Sequence, residues 1–119
     1  MNMKIPIIDQ IAIKEIYKKY FMDKNIMDMK DISGRCESRD SAGYFFFYDN
    51  PRGLVADRMF NITINIRKEY SVGVMIYMNE GIPIESEVYA LGELVPNDSE
   101  FDYSDVEVTY AAEDRNFRN

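Results

Sequence analysis

The chain has 119 residues, of which 46% are hydrophobic and 29% are charged, and its formal net charge is −7. This length fits one domain over residues 1–119, and the apolar content argues against a disordered chain. The single cysteine excludes an internal disulfide, and no apolar run approaches the ~20 residues that a membrane-spanning helix needs. Asp9 interrupts the N-terminal apolar run too early for a secretory signal. We therefore expect a cytoplasmic protein with no membrane partner.

The N-terminal segment has the spacing of an amphipathic helix, because its apolar residues recur at intervals of three and four. Pro6 suits the first turn of a helix, and Asp9 suits its positive N-terminal end. Lys14, Lys18 and Lys19 fall between the apolar positions and indicate a solvated face rather than a nucleic-acid site. The apolar positions of this predicted helix are Ile8, Ile11, Ala12, Ile16 and Tyr20.

The segment that follows is less regular. The stretch DKNIMDMKDISG is predicted to form a second short helix with Gly34 as its C-cap. The methionines of the overlapping stretch FMDKNIMDMK are interpreted as flexible filler of the core rather than as a binding surface.

From Gly43 onwards the apolar residues recur with a period of two, which is typical of strands. The stretch GYFFFYD is predicted as a strand that ends at the turn NPRG. Two further strands each contain a set of apolar residues that alternates at even-numbered positions. A hairpin that pairs residues whose numbers sum to about 138 would place both apolar sets on one face. The two sets are Phe60, Ile62, Ile64 and Ile66, and Val72, Val74, Ile76 and Met78.

The stretches ESEVYALGEL and SDVEVTYA are predicted as a fourth and a fifth strand, separated by the polar loop VPNDSEFDY. In the last of these strands we expect Val106, Val108 and Tyr110 to face inward. The whole pattern predicts an α+β domain, with an N-terminal helical region packed on an antiparallel sheet of four to five strands.

The stretch YFFFY places large rings on both faces of its predicted strand. We interpret it as a central strand that is covered on both sides. The alternative is that one of its faces is an interface, either with a second copy of the chain or with a partner.

The charges are distributed unevenly along the chain. Residues 1–79 contain twelve Lys and Arg against ten Asp and Glu, a net charge of +2. Residues 80–114 contain eleven acids and no base, a net charge of −11, and Arg115 and Arg118 restore the total to −7. This uncompensated acidic segment is the most specific feature of the sequence.

The two predicted strands of the acidic segment align several of its acids. Glu85, Glu87 and Glu93 share one parity in the first strand, as do Asp105 and Glu107 in the second. If the two strands pair, four or five carboxylates meet in one patch, and the loop acids extend it. Aromatic residues lie between these acids. The predicted partner-binding residues are Glu85, Glu87, Tyr89, Glu93, Asp98, Glu100, Phe101, Asp102, Tyr103, Asp105 and Glu107.

Two interpretations of the acidic segment compete. A solvated face would favour solubility and protect an edge strand from aggregation, but solvated faces usually interleave both signs of charge. The second interpretation is a docking surface for a basic protein, in which charge speeds the encounter and tyrosines supply contact area. Such a protein would block its partner by occupying the groove in which nucleic acid binds.

Most catalytic and metal-binding chemistry has no candidate residues. The sequence has no histidine, which is the commonest general base, and no glycine-rich phosphate loop. One cysteine cannot form a thiolate zinc site, and NDSEFDYSD lacks the glycine and the acid spacing of an EF-hand loop. Arg35 and Arg39 near Cys36 would lower the pKa of its thiol, although a lone cysteine is usually inert packing. We therefore predict no enzyme, no cofactor and no metal.

The sequence predicts a non-enzymatic inhibitor that masks a basic, nucleic-acid-binding surface of a partner protein, without itself contacting nucleic acid. The candidate partners are a nuclease or a nucleic-acid-targeting defence effector, by class-level analogy with immunity proteins and phage anti-defence proteins. The inhibitor would be a monomer or a homodimer. Two alternatives stay open: a structural protein that self-assembles through the aromatic strand, and a small-ligand-binding domain with a pocket between helix and sheet.

Overall fold

The computed structural model describes residues 3–22 and 27–117. Within that part, one helix packs against one antiparallel sheet. The elements are β1 (Met3–Lys4), α1 (Ile7–Tyr20), β2 (Ser33–Asp40), β3 (Gly43–Tyr48), β4 (Arg58–Ile66), β5 (Tyr70–Asn79), β6 (Ile82–Ala90) and β7 (Val106–Glu113). Across the sheet the strand order is β1-β2-β3-β6-β5-β4-β7. The α+β class is confirmed, but the predicted number of four to five strands is too low, because the sheet has seven.

β1 and β2 are the strands that the sequence analysis missed. β2 lacks alternating apolar residues because most of its residues are exposed. Gly34, predicted as a helix C-cap, lies inside β2 opposite Tyr48. A Cβ atom on Gly34 would lie 2.1 Å from the carbonyl oxygen of Phe47, so only glycine fits there.

Of the predicted second helix, residues 23–26 lie outside the described residues, and the remainder has one 3-10 turn at Met29–Asp31. The interpretation of the Met-rich stretch as filler of the core is wrong for two of its methionines, because Met22 is 77% exposed and Met27 is 36% exposed.

The N-terminal helix is confirmed as α1, which begins directly after Pro6. Lys14, Lys18 and Lys19 are exposed, as predicted. The buried stripe is shifted from the predicted one, since Ile11 and Tyr20 are only partly buried. The helix residues that are buried against the sheet are Ile8, Asp9, Ala12, Ile13, Ile16 and Tyr17.

The predicted hairpin is confirmed as β4 and β5. Ile62 pairs with Val74, so the paired numbers sum to 136 rather than 138. The shift by two residues preserves parity, and all eight predicted apolar residues lie buried on the face beneath α1. The predicted turn between β3 and β4 is also present, because the N–H of Gly53 donates to the carbonyl of Asn50 at 3.1 Å.

β7 contains an irregularity that moves one side chain to the opposite face. The pairing with β4 shifts between Thr63 and Ile64, which leaves Val108 opposite Ile64 and Tyr110 opposite Thr63. The prediction that Tyr110 faces inward is therefore wrong, and its side chain is 56% exposed. An extra residue in one strand of a pair reverses which side chains face inward beyond it. No residue type in this stretch of the sequence indicates such an extra residue.

Helix α1 also contacts the free edge of β7. The Lys19 ammonium donates to the carbonyl oxygen of Ala111, and the N–H of Glu113 donates to the Tyr20 hydroxyl at 3.0 Å. These backbone groups are ones that a further strand would need, so the helix side chains hinder pairing along this end of the edge. Within the described ranges, no helix is long and apolar enough to cross a membrane.

A buried carboxylate joins α1 to the middle of the sheet. Asp9 is fully buried and accepts hydrogen bonds from the hydroxyl groups of Tyr44 at 2.6 Å, of Ser86 at 2.5 Å, and of Tyr48. Burial raises the pKa of Asp9, although the three hydroxyl donors partly oppose this. The sequence predicted the place of Asp9 near the start of the helix, but it did not predict these partners.

Candidate functional site

The surface of the sheet opposite α1 is the most distinctive surface of the molecule, and we call it the open face. Side chains alternate along each strand, so the residues between those buried under α1 point to this face. Its strand residues include Arg35 and Glu37 on β2, Phe45 and Phe47 on β3, Glu85, Glu87 and Tyr89 on β6, Ser71, Gly73, Met75 and Tyr77 on β5, Met59, Asn61, Thr63 and Asn65 on β4, and Glu107, Tyr110 and Ala112 on β7.

Two carboxylates lie at the centre of the open face between apolar side chains. Glu87 on β6 pairs with Phe45 on one side and with Met75 on the other. Glu85 is flanked in the same way by Phe47 and Tyr77. Directly opposed residues have Cβ atoms ~4.5–5.5 Å apart, so each carboxylate is next to two apolar groups. Phe45 is 40% exposed although it belongs to an internal strand, so this apolar surface is available to solvent.

Tyr89 extends the same surface over β5. It pairs with Gly73, and a Cβ atom added there would lie 2.3 Å from Cζ of the Tyr89 ring. The ring therefore lies directly over the backbone of β5, and the glycine leaves room for it. The result is a flat aromatic area beside Glu87.

The strand positions of the open face carry an excess of negative charge. Arg35 is their one base; its Nε atom lies 3.0 Å from a carboxylate oxygen of Glu37, and its guanidinium lies 5.1 Å from the centre of the Phe47 ring. Glu85, Glu87 and Glu107 remain in excess of this pair. Burial raises the pKa of the Tyr77 hydroxyl, and the negative charges of Glu87 and Glu85 add to that effect.

The C-terminal segment lies across one end of the open face. The N–H of Asp114 donates to the carbonyl of Met59 at 2.8 Å, which continues the pairing beyond β7. The ring of Phe117 then contacts the ring of Tyr77, with centroids 5.5 Å apart and planes inclined at 60°. The area around Phe45, Glu87 and Tyr89 lies on the β3 and β6 side of this contact.

The eleven predicted partner-binding residues do not lie together. Glu85, Glu87 and Tyr89 lie in the middle of the open face, and Glu107 lies on the same face at its edge. The pairing of the two acidic strands on which a single patch depended does not occur, because β5 and β4 lie between β6 and β7. Three strand spacings of ~4.8 Å therefore separate Glu107 from the two central carboxylates.

The other seven predicted residues follow β6 in the segment of residues 91–105. Glu93 was expected in a strand with Glu85, but β6 ends at Ala90 and Glu93 is an exposed loop residue. Asp105 was expected to project from a strand. Instead it ends a 3-10 turn, and its carboxylate accepts the N–H of Asp102 at 3.0 Å.

Several acids of this segment have local structural partners. Asp98 accepts the N–H of Ile7 at 3.1 Å, at the positive end of α1. Asp102 accepts hydrogen bonds from the hydroxyl and the N–H of Ser104, which lower the pKa of Asp102. Glu100 accepts a hydrogen bond of 3.4 Å from the Asn97 amide. These contacts fix the course of the loop, which explains part of the acidic excess without a partner.

The two aromatic residues predicted in this segment also have internal contacts. Phe101 is buried in the core and offers no contact surface to a partner. The Tyr103 hydroxyl donates to the side-chain oxygen of Gln10, and the Lys14 ammonium lies 5.1 Å from the centre of the Tyr103 ring. Tyr103 is therefore half exposed, but on the helix side of the molecule.

The open face contains aromatic residues that the sequence analysis did not assign to the site. Phe45 and Phe47 were interpreted as parts of a strand covered on both sides, and this is wrong for Phe45. In the sequence, Tyr77 and Met75 were recognisable only as the odd-numbered residues between those predicted to be buried. Their alternation with Val74, Ile76 and Met78 was the available signal, but it does not show whether a second layer covers them.

Two other chemical features were considered in the sequence, the Cys36 thiol and a metal site. Burial raises the pKa of the Cys36 thiol more than Arg39 lowers it, so the expected lowering is wrong. Among residues 3–22 and 27–117, no three Cys, Asp or Glu side chains are placed to hold a metal ion. No protein-family model matches this chain, and no curated protein or solved structure is significantly similar to it.

Proposed function

We propose that the protein is a non-enzymatic inhibitor that docks its open face on a basic surface of a partner protein. The observation that carries this proposal is the placement of Glu85 and Glu87 between apolar side chains of the neighbouring strands, among which the Phe45 ring is 40% exposed. The contact area would be the β3, β6 and β5 part of the open face rather than the whole acidic segment. This contact area is smaller than the one predicted from the sequence.

Charge and apolar area support a basic partner over other occupants. Carboxylates beside aromatic rings can pair with Arg or Lys while the rings bury the alkyl parts and the guanidinium planes of those residues. Tyrosine and phenylalanine are enriched at the cores of protein interfaces. Nucleic acid would be repelled by the same charges. A partner surface that normally holds phosphates has the required positive charge, which is why an inhibitor of a nucleic-acid-binding protein fits this face.

A second candidate function is self-assembly, either through the open face, where the exposed ring of Phe45 favours it, or by strand pairing at the sheet edge. Two features oppose it. A symmetric face-to-face dimer would bring the Glu85 and Glu87 carboxylates of both copies together, and like charges in contact destabilise an interface. Addition of a strand at β7 is hindered by Lys19 and Tyr20, which bond backbone groups along that edge.

The test is competition between this protein and duplex DNA for a partner. The tagged chain captures basic proteins from a lysate of host cells, and a captured protein is purified and titrated with fluorescent duplex DNA. We expect one equivalent of the inhibitor to release the DNA. The matched variant Glu85→Gln/Glu87→Gln removes the two central charges and is expected to release it less effectively. A ternary complex that contains inhibitor, partner and DNA together would overturn the proposal.

A further inference from the structure

A small depression in the open face lies over Gly43, beside the turn that joins β2 to β3. Gly43 is opposite Asp40 of β2 on one side and opposite Tyr89 of β6 on the other. Its φ of 152° is one that residues with a Cβ atom rarely adopt, and a Cβ atom there would lie 2.0 Å from the carbonyl oxygen of Val88. No side chain therefore occupies this position, and the depression has a volume of about 300 Å³. This volume is at the lower end of the range for ligand sites, so it suits one side chain of a partner.

Two aromatic rings border the depression. Phe45 lies two residues beyond Gly43 on β3, so it projects from the same face, and its ring is 40% exposed. The half-buried Tyr89 ring lies on the β6 side, over Gly73 of β5. Aromatic faces attract cations, and a planar guanidinium stacks on them while it also pairs with carboxylates. The rings therefore favour a guanidinium over a compact ammonium ion.

Two carboxylates also line the depression. Asp40 lies on its β2 side, where one carboxylate oxygen accepts the N–H groups of Ala42 and Gly43 at 2.8 and 3.2 Å. Glu87 lies on its β6 side, opposite Phe45. Neither carboxylate forms an ion pair with a basic side chain among the described residues. The depression therefore carries two negative charges that no described base neutralises.

The open face already contains one arginine in a comparable setting. The Nε atom of Arg35 lies 3.0 Å from a carboxylate oxygen of Glu37, and its guanidinium lies 5.1 Å from the centre of the Phe47 ring. At the depression a ring and a carboxylate are again adjacent, but no basic side chain in the described ranges stacks on Phe45 or pairs with Glu87. An arginine supplied from outside would make there the two kinds of contact that Arg35 makes.

From this combination we propose that the depression receives one arginine side chain of the partner. The guanidinium pairs with the carboxylates of Asp40 and Glu87. Its plane lies against the rings of Phe45 and Tyr89, and its five N–H donors allow it to reach both acids at once. This inference rests on the proposed function, and it names the side chain by which the partner is held on the open face.

The test is an NMR titration of the full-length protein at low salt with a capped Gly-Gly-Arg-Gly-Gly peptide and its lysine and citrulline counterparts. Citrulline keeps the shape of arginine without its charge. We expect the resonances of Phe45, Glu87 and Tyr89 to shift saturably with the arginine peptide. Its affinity should be at least about threefold greater than that of the lysine peptide and about tenfold greater than that of the citrulline peptide. An arginine peptide that leaves these resonances unchanged, or a lysine peptide that binds equally well, would overturn the proposal.

Variants locate the charge and the ring contact separately. Asp40→Asn/Glu87→Gln should weaken the arginine peptide about tenfold, and Asp40→Asn keeps the side-chain oxygen that accepts the N–H groups of the turn. Phe45→Leu should abolish the preference for arginine over lysine. Glu80→Gln/Glu93→Gln removes the same charge from exposed positions that do not line the depression, and it should leave binding unchanged. An equal loss in this control would overturn the proposal, because the peptide would then respond to net charge alone.

A captured partner separates this inference from the proposed function. A partner that loses affinity for Glu85→Lys/Glu87→Lys but not for Asp40→Asn/Phe45→Leu would overturn the arginine site and leave docking of the open face in place. If the arginine peptide binds as expected but the partner holds DNA and this protein together, the proposed function fails and the arginine site stands.

Discussion

At the scale of single residues, Asp9 determines how the helix sits on the sheet. Its hydroxyl donors belong to Tyr44 and Tyr48 on β3 and to Ser86 on β6. The residues next to these donors in sequence are Phe45, Phe47, Glu85 and Glu87, which point to the open face. One buried carboxylate therefore holds together, from below, the two strands that carry the centre of the proposed docking surface.

Because the pKa of Asp9 is raised in the folded protein, the stability of the fold should depend on pH. Its folded pKa lies above the ordinary value of 3.8, so the native state binds the proton more tightly than the unfolded chain. The stability that Asp9 contributes is therefore greatest below its unfolded pKa and is lost as the pH rises through the folded pKa. We expect the unfolding free energy of the wild type, relative to that of Asp9→Asn, to fall over this window in urea titrations.

Ser86→Ala provides the matched control for that experiment. The Ser86 hydroxyl is the strongest of the three donors that lower the pKa of Asp9, so its loss should extend the window to higher pH. The tyrosine hydroxyls around Asp9 stay protonated, because burial raises the pKa of both Tyr44 and Tyr48 well above the ordinary value. A wild-type advantage that does not change with pH would contradict this account of Asp9.

At the scale of elements, Gly34 in β2 and Gly73 in β5 both lie close to a neighbouring strand, but the atoms that they face differ. An added Cβ would meet a backbone carbonyl at Gly34 but the movable ring of Tyr89 at Gly73. We expect Gly34→Ala to cost about 3 kcal/mol or more, because β2 must move away from β3. Gly73→Ala should cost only about 1 kcal/mol, since the Tyr89 ring can swing into solvent. Thermal unfolding measures both.

Gly92→Ala is the control for these two variants, because no atom lies within 4 Å of the added methyl group. Its stability should stay within about 0.5 kcal/mol of the wild type. Equal losses of stability for Gly34→Ala and Gly73→Ala would show that β2 can move away from β3 at little cost.

An ion pair joins β4 to β7 at one end of their pairing. Arg58 donates two hydrogen bonds of 2.8 Å to Glu113, and its guanidinium lies 4.9 Å from the centre of the Phe21 ring. Both charged side chains are largely shielded from solvent. We expect Glu113→Gln to reduce the unfolding free energy by about 1–2 kcal/mol near neutral pH.

Acid should abolish this difference between wild type and variant. The hydrogen bonds from Arg58 lower the pKa of Glu113, so its stabilisation is present above its ordinary pKa of 4.5 and is lost as the pH falls through the folded value. Urea unfolding at neutral and acid pH measures this. Glu93→Gln, in an exposed loop, is the control and should show little loss at either pH. A Glu113→Gln loss that persists in acid would indicate a packing effect instead.

At the scale of the whole molecule, the sequence predicted which residues share a face but not which strands are neighbours. The alternation in β4 and β5 was sufficient to place their apolar residues on one side, because parity survives a register shift of two. It could not place β6 beside β3, or β7 beside β4, since strand order depends on connections that alternation does not record. The prediction of a single acidic patch was wrong because it required β6 and β7 to be neighbours.

Other errors have local causes that no periodicity reports. The irregularity near Thr109 turned Tyr110 outward, and a 3-10 turn removed Asp105 from its expected strand. Phe45 is exposed because no element among the described residues covers this part of the open face, which is a property of the assembled domain. Glu85 and Glu87 were placed together because they are two residues apart on one strand.

The central claim is that the open face, and not the acidic segment as a whole, docks on a basic partner. Its most direct test is the affinity of a purified captured partner for Glu85→Lys/Glu87→Lys and for Asp31→Lys/Glu93→Lys, measured at ~50 and ~200 mM salt. Both variants change the net charge equally, but only the first changes the open face. We predict at least a tenfold loss, about 1.4 kcal/mol, for the first at low salt and little change for the second. Equal losses for both variants, or none for either, would contradict the claim.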